Sequence, residues 1–267
     1  AKLGKTGTLP NALDGILSQV GAAVVVVRIN EEQNEEGEVD AEATQLNVIG
    51  EALPDGSYTG AHALLAAKSK LGLSPRILIA PGFSSTKEVA TELITIANRL
   101  RAVVIADAPD GTNEEIIKFT TDCTSPRLYA VYPSVVNTKG ETVPASSYVA
   151  GVLAKSDNEN GFWVSPSNKT IAGIVGLSKS VDFTLGDASC RANYLNEQHV
   201  ATIINQNGYR LWGNRSTTKT DFYKFLCVQR TADIISDSIL QAHLWAVDRN
   251  IVKNYLTDVV ESVNAFL

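Results

Sequence analysis

With 267 residues, 44% of them hydrophobic, the chain is long enough to bury a sizeable core as one or two domains. A net charge of −6 argues against broad electrostatic binding to nucleic acid or anionic lipid, both of which need clustered cations. Cys123, Cys190 and Cys227 lie too far apart for a disulfide framework or a Cys-x-x-Cys site, no apolar run reaches membrane-spanning length, and residues 1–10 lack the apolar core of a signal peptide.

In chain order, Asn11 is a candidate cap for a short helix carrying Leu13, Ile16, Leu17 and Val20. Ala22 to Ile29 is rich in valine and reads as a strand. Asn30 to Glu42 is acidic and almost free of apolar residues, a solvated loop. Thr44 to Leu53 and Gly60 to Leu71 read as helices.

The stretch from Arg76 to Pro133 then repeats one pattern three times: an arginine (Arg76, Arg101, Arg127), a short apolar run, and a closing proline (Pro81, Pro109, Pro133). Runs without polar alternation suit strands buried on both faces of a parallel sheet. The intervals hold crossover helices. The first starts near Ser85 or Thr86 and carries Val89, Leu93, Ile96, Ala97 and Leu100; the second starts after Thr112, with Glu114 and Glu115 in its first turn. The unit is β-α-β-α-β, with right-handed crossovers.

After Pro133 the pattern changes. Val135 to Pro144 reads as a loop or hairpin turning at Lys139-Gly140, and Ser146 to Lys155 as a short helix. Gly161 to Gly186 suits short strands and turns. A further helix covers Arg191 to Tyr194, followed by Glu197 to Asn207. Gly208 to Arg215 and Phe222 to Gln229 read as strands, and Thr231 to Leu267 is mostly helix. The fold class expected is α/β: a mostly parallel central sheet with flanking helices, plus a more irregular mixed α+β second half. The expected domains are an α/β sheet domain over 1–142, incomplete at its N-terminus, and a mixed region over 143–267 that packs on it, truncated before a C-terminal arm.

The search for chemistry yields little. Gly4-Lys5-Thr6 looks like the tail of a phosphate loop but lacks the earlier glycine and the preceding strand. Pro81-Gly82-Phe83-Ser84-Ser85 follows a strand end, where α/β folds bind ligands, yet lacks a nucleophile elbow and reads as a tight turn. Asp107 and Asp110 fit turn residues better than an acid and base pair or metal ligands. His62, His199 and His243 fall in separate helices without a second ligand at suitable spacing. Phe162, Trp163, Tyr209, Trp212 and Trp245 suit core or interface better than a ligand platform. No catalytic, cofactor-binding or metal-ligating set is expected.

The second half carries a resemblance. Gly161-Phe162-Trp163-Val164-Ser165-Pro166, Leu195-Asn196-Glu197, Gly208-Tyr209-Arg210-Leu211-Trp212-Gly213-Asn214-Arg215 and Ala242-His243-Leu244-Trp245-Ala246-Val247-Asp248 together resemble the contractile tail sheath proteins of myophages and R-type bacteriocins. Thr8-Leu9-Pro10, the Val24 to Arg28 run, Pro75-Arg76-Ile77-Leu78 and Ala80-Pro81-Gly82 stand in that family's order. The resemblance implies a structural polymer without enzymatic activity or cofactor. Hexameric rings would stack around an inner tube and shorten to drive it through a target envelope. Implied partners are further copies of the chain, the inner tail tube protein, and baseplate and tail terminator components, with no nucleic acid or membrane among them. Implied location is assembly in bacterial cytoplasm, then a phage tail or a released bacteriocin particle.

Sheath proteins of this kind carry terminal arms that add strands to neighbouring subunits. The lack of methionine and the missing arms read as a fragment or processed product, expected to be a monomer or weak oligomer. In the closing helix, Leu240, Leu244, Val247, Ile251, Tyr255 and Val259 are expected to form one apolar stripe on the core. Arg249 and Lys253, four apart on the polar side, are expected to face the tube. The competing class is a small-molecule-binding or enzymatic doubly wound domain, with its site at the loops after Pro81, Asp107 and Pro133.

Overall fold

The computed structural model describes residues 7–248, 250 and 252–266. In chain order its elements are α1 (Leu9–Leu17), α2 (Ala41–Ile49), a 3-10 helix (Gly60–Ala66) running into α3 (Ala67–Leu71), β1 (Ile77–Leu78), α4 (Lys87–Leu100), β2 (Val103–Asp107), α5 (Asn113–Asp122) and β3 (Leu128–Tyr132). There follow β4 (Val135–Asn137), β5 (Thr142–Val143), α6 (Ala145–Asn160), β6 (Ile174–Leu177), α7 (Arg191–Glu197), β7 (Val200–Asn205), β8 (Tyr209–Trp212), α8 (Leu226–Ala242), a 3-10 turn (Leu244–Ala246) and α9 (Lys253–Phe266).

The main sheet runs β1-β2-β3-β7-β8, parallel except for the β7/β8 hairpin; a smaller antiparallel sheet runs β5-β4-β6. The fold is thus α/β with a mostly parallel sheet, and it takes β7 and β8 from beyond residue 143. The repeated apolar runs are its centre: every residue of β2 and β3 is buried. Alternate residues serve opposite faces. Val104, Ala106, Leu128, Ala130 and Tyr132 pack with α4, α5 and α7, whereas Val103, Ile105, Tyr129 and Val131 pack with α1 and α6. The Tyr129 hydroxyl, otherwise stranded in that second layer, donates to the Gly213 carbonyl at 2.7 Å.

Local rules explain the crossover helices. The Thr112 hydroxyl accepts from the Glu115 amide at 3.3 Å and the Glu115 carboxylate accepts from the Thr112 amide at 2.7 Å, a capping box that starts α5. On the other face, α1 approaches α6 through glycines. A Cβ on Gly151 would lie 2.8 Å from the Ile16 carbonyl oxygen, so the two backbones meet at a distance only glycine allows.

Four expectations fail. Residues 22–29 form no strand: the run makes no backbone hydrogen bond among the described residues, Val24 and Val26 are exposed, and only Ile29 packs against the core. The strand at one edge of the main sheet, β1, is only two residues long. Glu197 to Asn207, read with the preceding helix, contains β7, whose Val200 to Ile204 are buried between β3 and β8. Phe222 to Gln229 is a loop and the start of α8, not a strand. The first helix begins at Leu9, after Thr8, which makes no side-chain cap hydrogen bond, and has Pro10 in its first turn; Asn11 lies inside it rather than capping it.

The apolar stripe expected on the core is also overturned. Leu240, Leu244 and Val247 are 56%, 71% and 61% exposed, and Ile251 lies outside the described residues. The buried positions of α8 beyond Leu226 are Gln229, Arg230 and Asp233. Charge, not apolar area, decides which face of this helix turns inward.

Candidate assembly surface

The structure disperses the groups from which chemistry was sought. Gly4-Lys5-Thr6 lies outside the described residues. Asp107 ends β2 and is buried. Its carboxylate accepts from the Ser146 amide at 2.8 Å, the Ser146 hydroxyl at 2.6 Å and the Ser84 hydroxyl at 3.2 Å. Burial pushes this carboxyl above its ordinary value, and the serine donors oppose the shift. The arrangement ties the turn after β1 and the first turn of α6 to the end of β2, where a carboxylate also suits the helix dipole. Asp110 points elsewhere and pairs with Lys179 at 3.3 Å on the surface. The two aspartates therefore act separately and form no acid and base pair.

The histidines are equally scattered. His62 pairs with Glu92 at 3.0 Å, His199 meets the Ser216 carbonyl at 2.9 Å, and His243 bridges the Ile239 carbonyl and the Ser262 hydroxyl. Among the described residues no group of three His, Cys, Asp or Glu side chains could hold a metal ion, and no helix is long and apolar enough to cross a membrane. The aromatic residues make three distinct edge-to-face pairs, Phe162 with Trp163, Phe183 with Trp212 and Trp245 with Tyr255, rather than one platform.

What the surface does offer is contact area. Beyond the open valine run at 22–29, a loop before α8 exposes Phe222 and Tyr223. It is held rigidly at its base: the Thr217 hydroxyl donates to the Cys123 carbonyl at 2.7 Å and accepts from the Ser125 amide at 3.0 Å, and the Thr217 amide donates to the Leu128 carbonyl. Aromatic side chains on a fixed loop give area at small ordering cost, the property of an interface. The outer faces of α8 and α9 add Val228, Ile235, Leu240, Leu256 and Val260. Of the two expected tube contacts, Arg249 lies outside the described residues and Lys253 is the first residue of α9.

Sequence reasoning missed one set of residues altogether. The arginines that open β1, β2 and β3 are bound by carboxylates of α8: Arg127 by Asp233, and Arg76 and Arg101 by Asp237. The available signal was an arginine at the start of each strand and two aspartates four apart in a distant helix.

Residues 56–217, more than half of the chain, match the model of the phage tail sheath protein central domain. The chain is similar to a prophage major tail sheath protein of Pseudomonas aeruginosa, 41% identical over 96% of this chain and 66% of the relative. It is also similar to the tail sheath protein of Escherichia phage P2, 34% identical over 99% of this chain and 68% of the relative. It thus spans about two thirds of the length of these relatives. Among solved structures, the helical sheath of the anti-feeding prophage in its contracted state shares the fold, with a TM-score of 0.61 at 18% identity, over 94% of this chain and 79% of that one. The sequence family is structural rather than enzymatic, which displaces the doubly wound enzyme as a reading, and the chain belongs to the phage tail sheath family.

Proposed function

We propose that this chain is the subunit of a contractile tail sheath, forming hexameric rings that stack helically around an inner tube and contract to drive the tube through a target envelope. The match of residues 56–217 to the sheath central domain carries the reading. Its setting is a phage tail or an extracellular contractile injection particle, with baseplate and tail terminator components at the two ends of the sheath. The run at 22–29, which makes no backbone hydrogen bond among the described residues, and the short edge strand β1 support contact between copies by strand addition, because main-chain groups left without partners are a template for another chain. The segment bearing Arg249 and Lys253 faces the tube, where weak, screened charge contacts permit both grip and sliding.

Electron microscopy of the protein at the full length of its relatives, with and without tube protein, tests the reading. Rings or tubes are expected, and dispersed monomers in both samples reject it. Reversing the charges of Arg249 and Lys253 together should lower the yield of sheath on tubes, most at low salt. Unchanged yield at every salt concentration rejects the tube contact alone.

A further inference from the structure

α8 is docked against the sheet by its polar side. The Arg127 guanidinium forks onto Asp233, with Nη1 to Oδ2 at 2.5 Å and Nη2 to Oδ1 at 2.7 Å, and its remaining donors reach Asn98 and the Ala102 carbonyl. One turn further along, Asp237 takes Arg101 at 2.5 Å on one oxygen and Arg76 on the other. Arg230 holds Asp157 of α6 at 2.7 Å through Nη1, with a second contact through Nη2. Between these groups lies a cleft of about 290 Å³, open to solvent and lined by charged side chains and by Phe162 and Ile234. A close-packed apolar seam would leave no such space.

The helix is anchored differently along its length. Leu226 at its start is fully buried and its amide donates to the Asn214 carbonyl at 2.9 Å, whereas Val228, Ile235 and Leu240 face outward. The clamp also loosens outward. Arg127 and Asp233 side chains are 12% and 9% exposed, but Arg76 and Arg101 are 40% and 38% exposed, so water and salt reach the outer pair first.

We propose that α8 is a charge-clamped strap, pivoting at Leu226 and held over the N-terminal ends of β1, β2 and β3 by the arginine and aspartate cluster, which ionic screening releases without unfolding the sheet. Release starts at the Asp237 end and proceeds toward Asp233. The sheet is indifferent to the event because its own cohesion is apolar burial, which salt does not screen. Once detached, a helix of 17 residues is marginal in water and its amides exchange. The inference concerns the fold alone and stands whether or not the chain assembles as proposed above.

Hydrogen exchange on the wild-type chain, at about 0.05 M and about 1 M sodium chloride, reads the clamp directly. The expected result is roughly tenfold faster exchange along α8 at high salt, earliest beyond Asp237, with β2 and β3 unchanged. Asp237→Asn should give the same pattern already at low salt. Exchange in α8 that ignores both salt and Asp237→Asn overturns the proposal, as does loss of protection in α8 and in β2 and β3 together.

Discussion

β2 and β3 meet α8 through Arg101 and Arg127, yet the two regions are held by opposite physics. The strands bury every side chain they own, and the layers on either side interdigitate around Val104, Ile105, Leu128 and Tyr129. Beyond Leu226, α8 turns Asp233 and Asp237 toward the sheet and leaves Val228, Ile235 and Leu240 outside. The sheath function proposed above would call for both kinds of region: a core that survives rearrangement unchanged, and surfaces whose contacts can be exchanged. Apolar burial supplies the first because it is close-packed and intolerant of change. Ion pairs beside an open cleft would supply the second, since water and salt compete first for the exposed outer pairs.

The contrast can be broken most severely from the core side. Ile105→Ala removes side-chain atoms at a position with no exposure, and a loss of about 2–5 kcal/mol in unfolding free energy is expected from denaturant titration. A loss below about 1 kcal/mol would mean that β2 is not the rigid centre described above.

Asp107 probes the seam between the apolar sheet and its polar surroundings, with a smaller effect. Burial raises its carboxyl above 3.8 in the folded state, so its favourable contribution is complete below that pH and is lost as pH rises through the folded value. Asp107→Asn removes the titration. The stability of wild type relative to this variant should therefore fall from acid toward neutral pH in thermal unfolding followed from about pH 3.5 to 8. A difference that grows with pH would show that the serine donors outweigh burial.

The smallest effect is expected on the outer face of α8. Leu240→Ala should change stability by no more than about 0.5 kcal/mol, because the side chain is already more than half exposed. A cost of several kcal/mol would place Leu240 in a core and erase the contrast.

Much of the sheet was legible from local pattern. The runs after Arg76, Arg101 and Arg127 announced β1, β2 and β3 because unbroken apolar residues suit a strand covered on both faces, and Thr112 followed by Glu114 and Glu115 announced α5 because acids favour a helix start, which the structure completes as a capping box. The hairpin at Lys139-Gly140 followed from its turn residues, with Gly140 in the left-handed region. β7 had a signal that was passed over: Val200, Thr202, Ile203 and Ile204 are β-branched, which favours a strand over the helix assigned there. The candidate site was less legible. Aspartates, histidines and aromatics appear in any list of reactive residues, and only their separation in space shows that they hold the fold together one pair at a time.

By itself, then, the sequence determined the three repeated strands, the crossover helices between them and the polar loops, because each depends on periodicity, caps and turn residues within a few positions. It also carried the family, through an ordered set of short segments spread along the chain. Tertiary structure alone decided that β7 enters as the fourth strand, that the valine run at 22–29 stays unpaired, and which face of α8 turns inward. An apolar run states that burial is favourable without naming what will cover it. An arginine finds its aspartate more than a hundred residues away only once the sheet has brought the strand openings together.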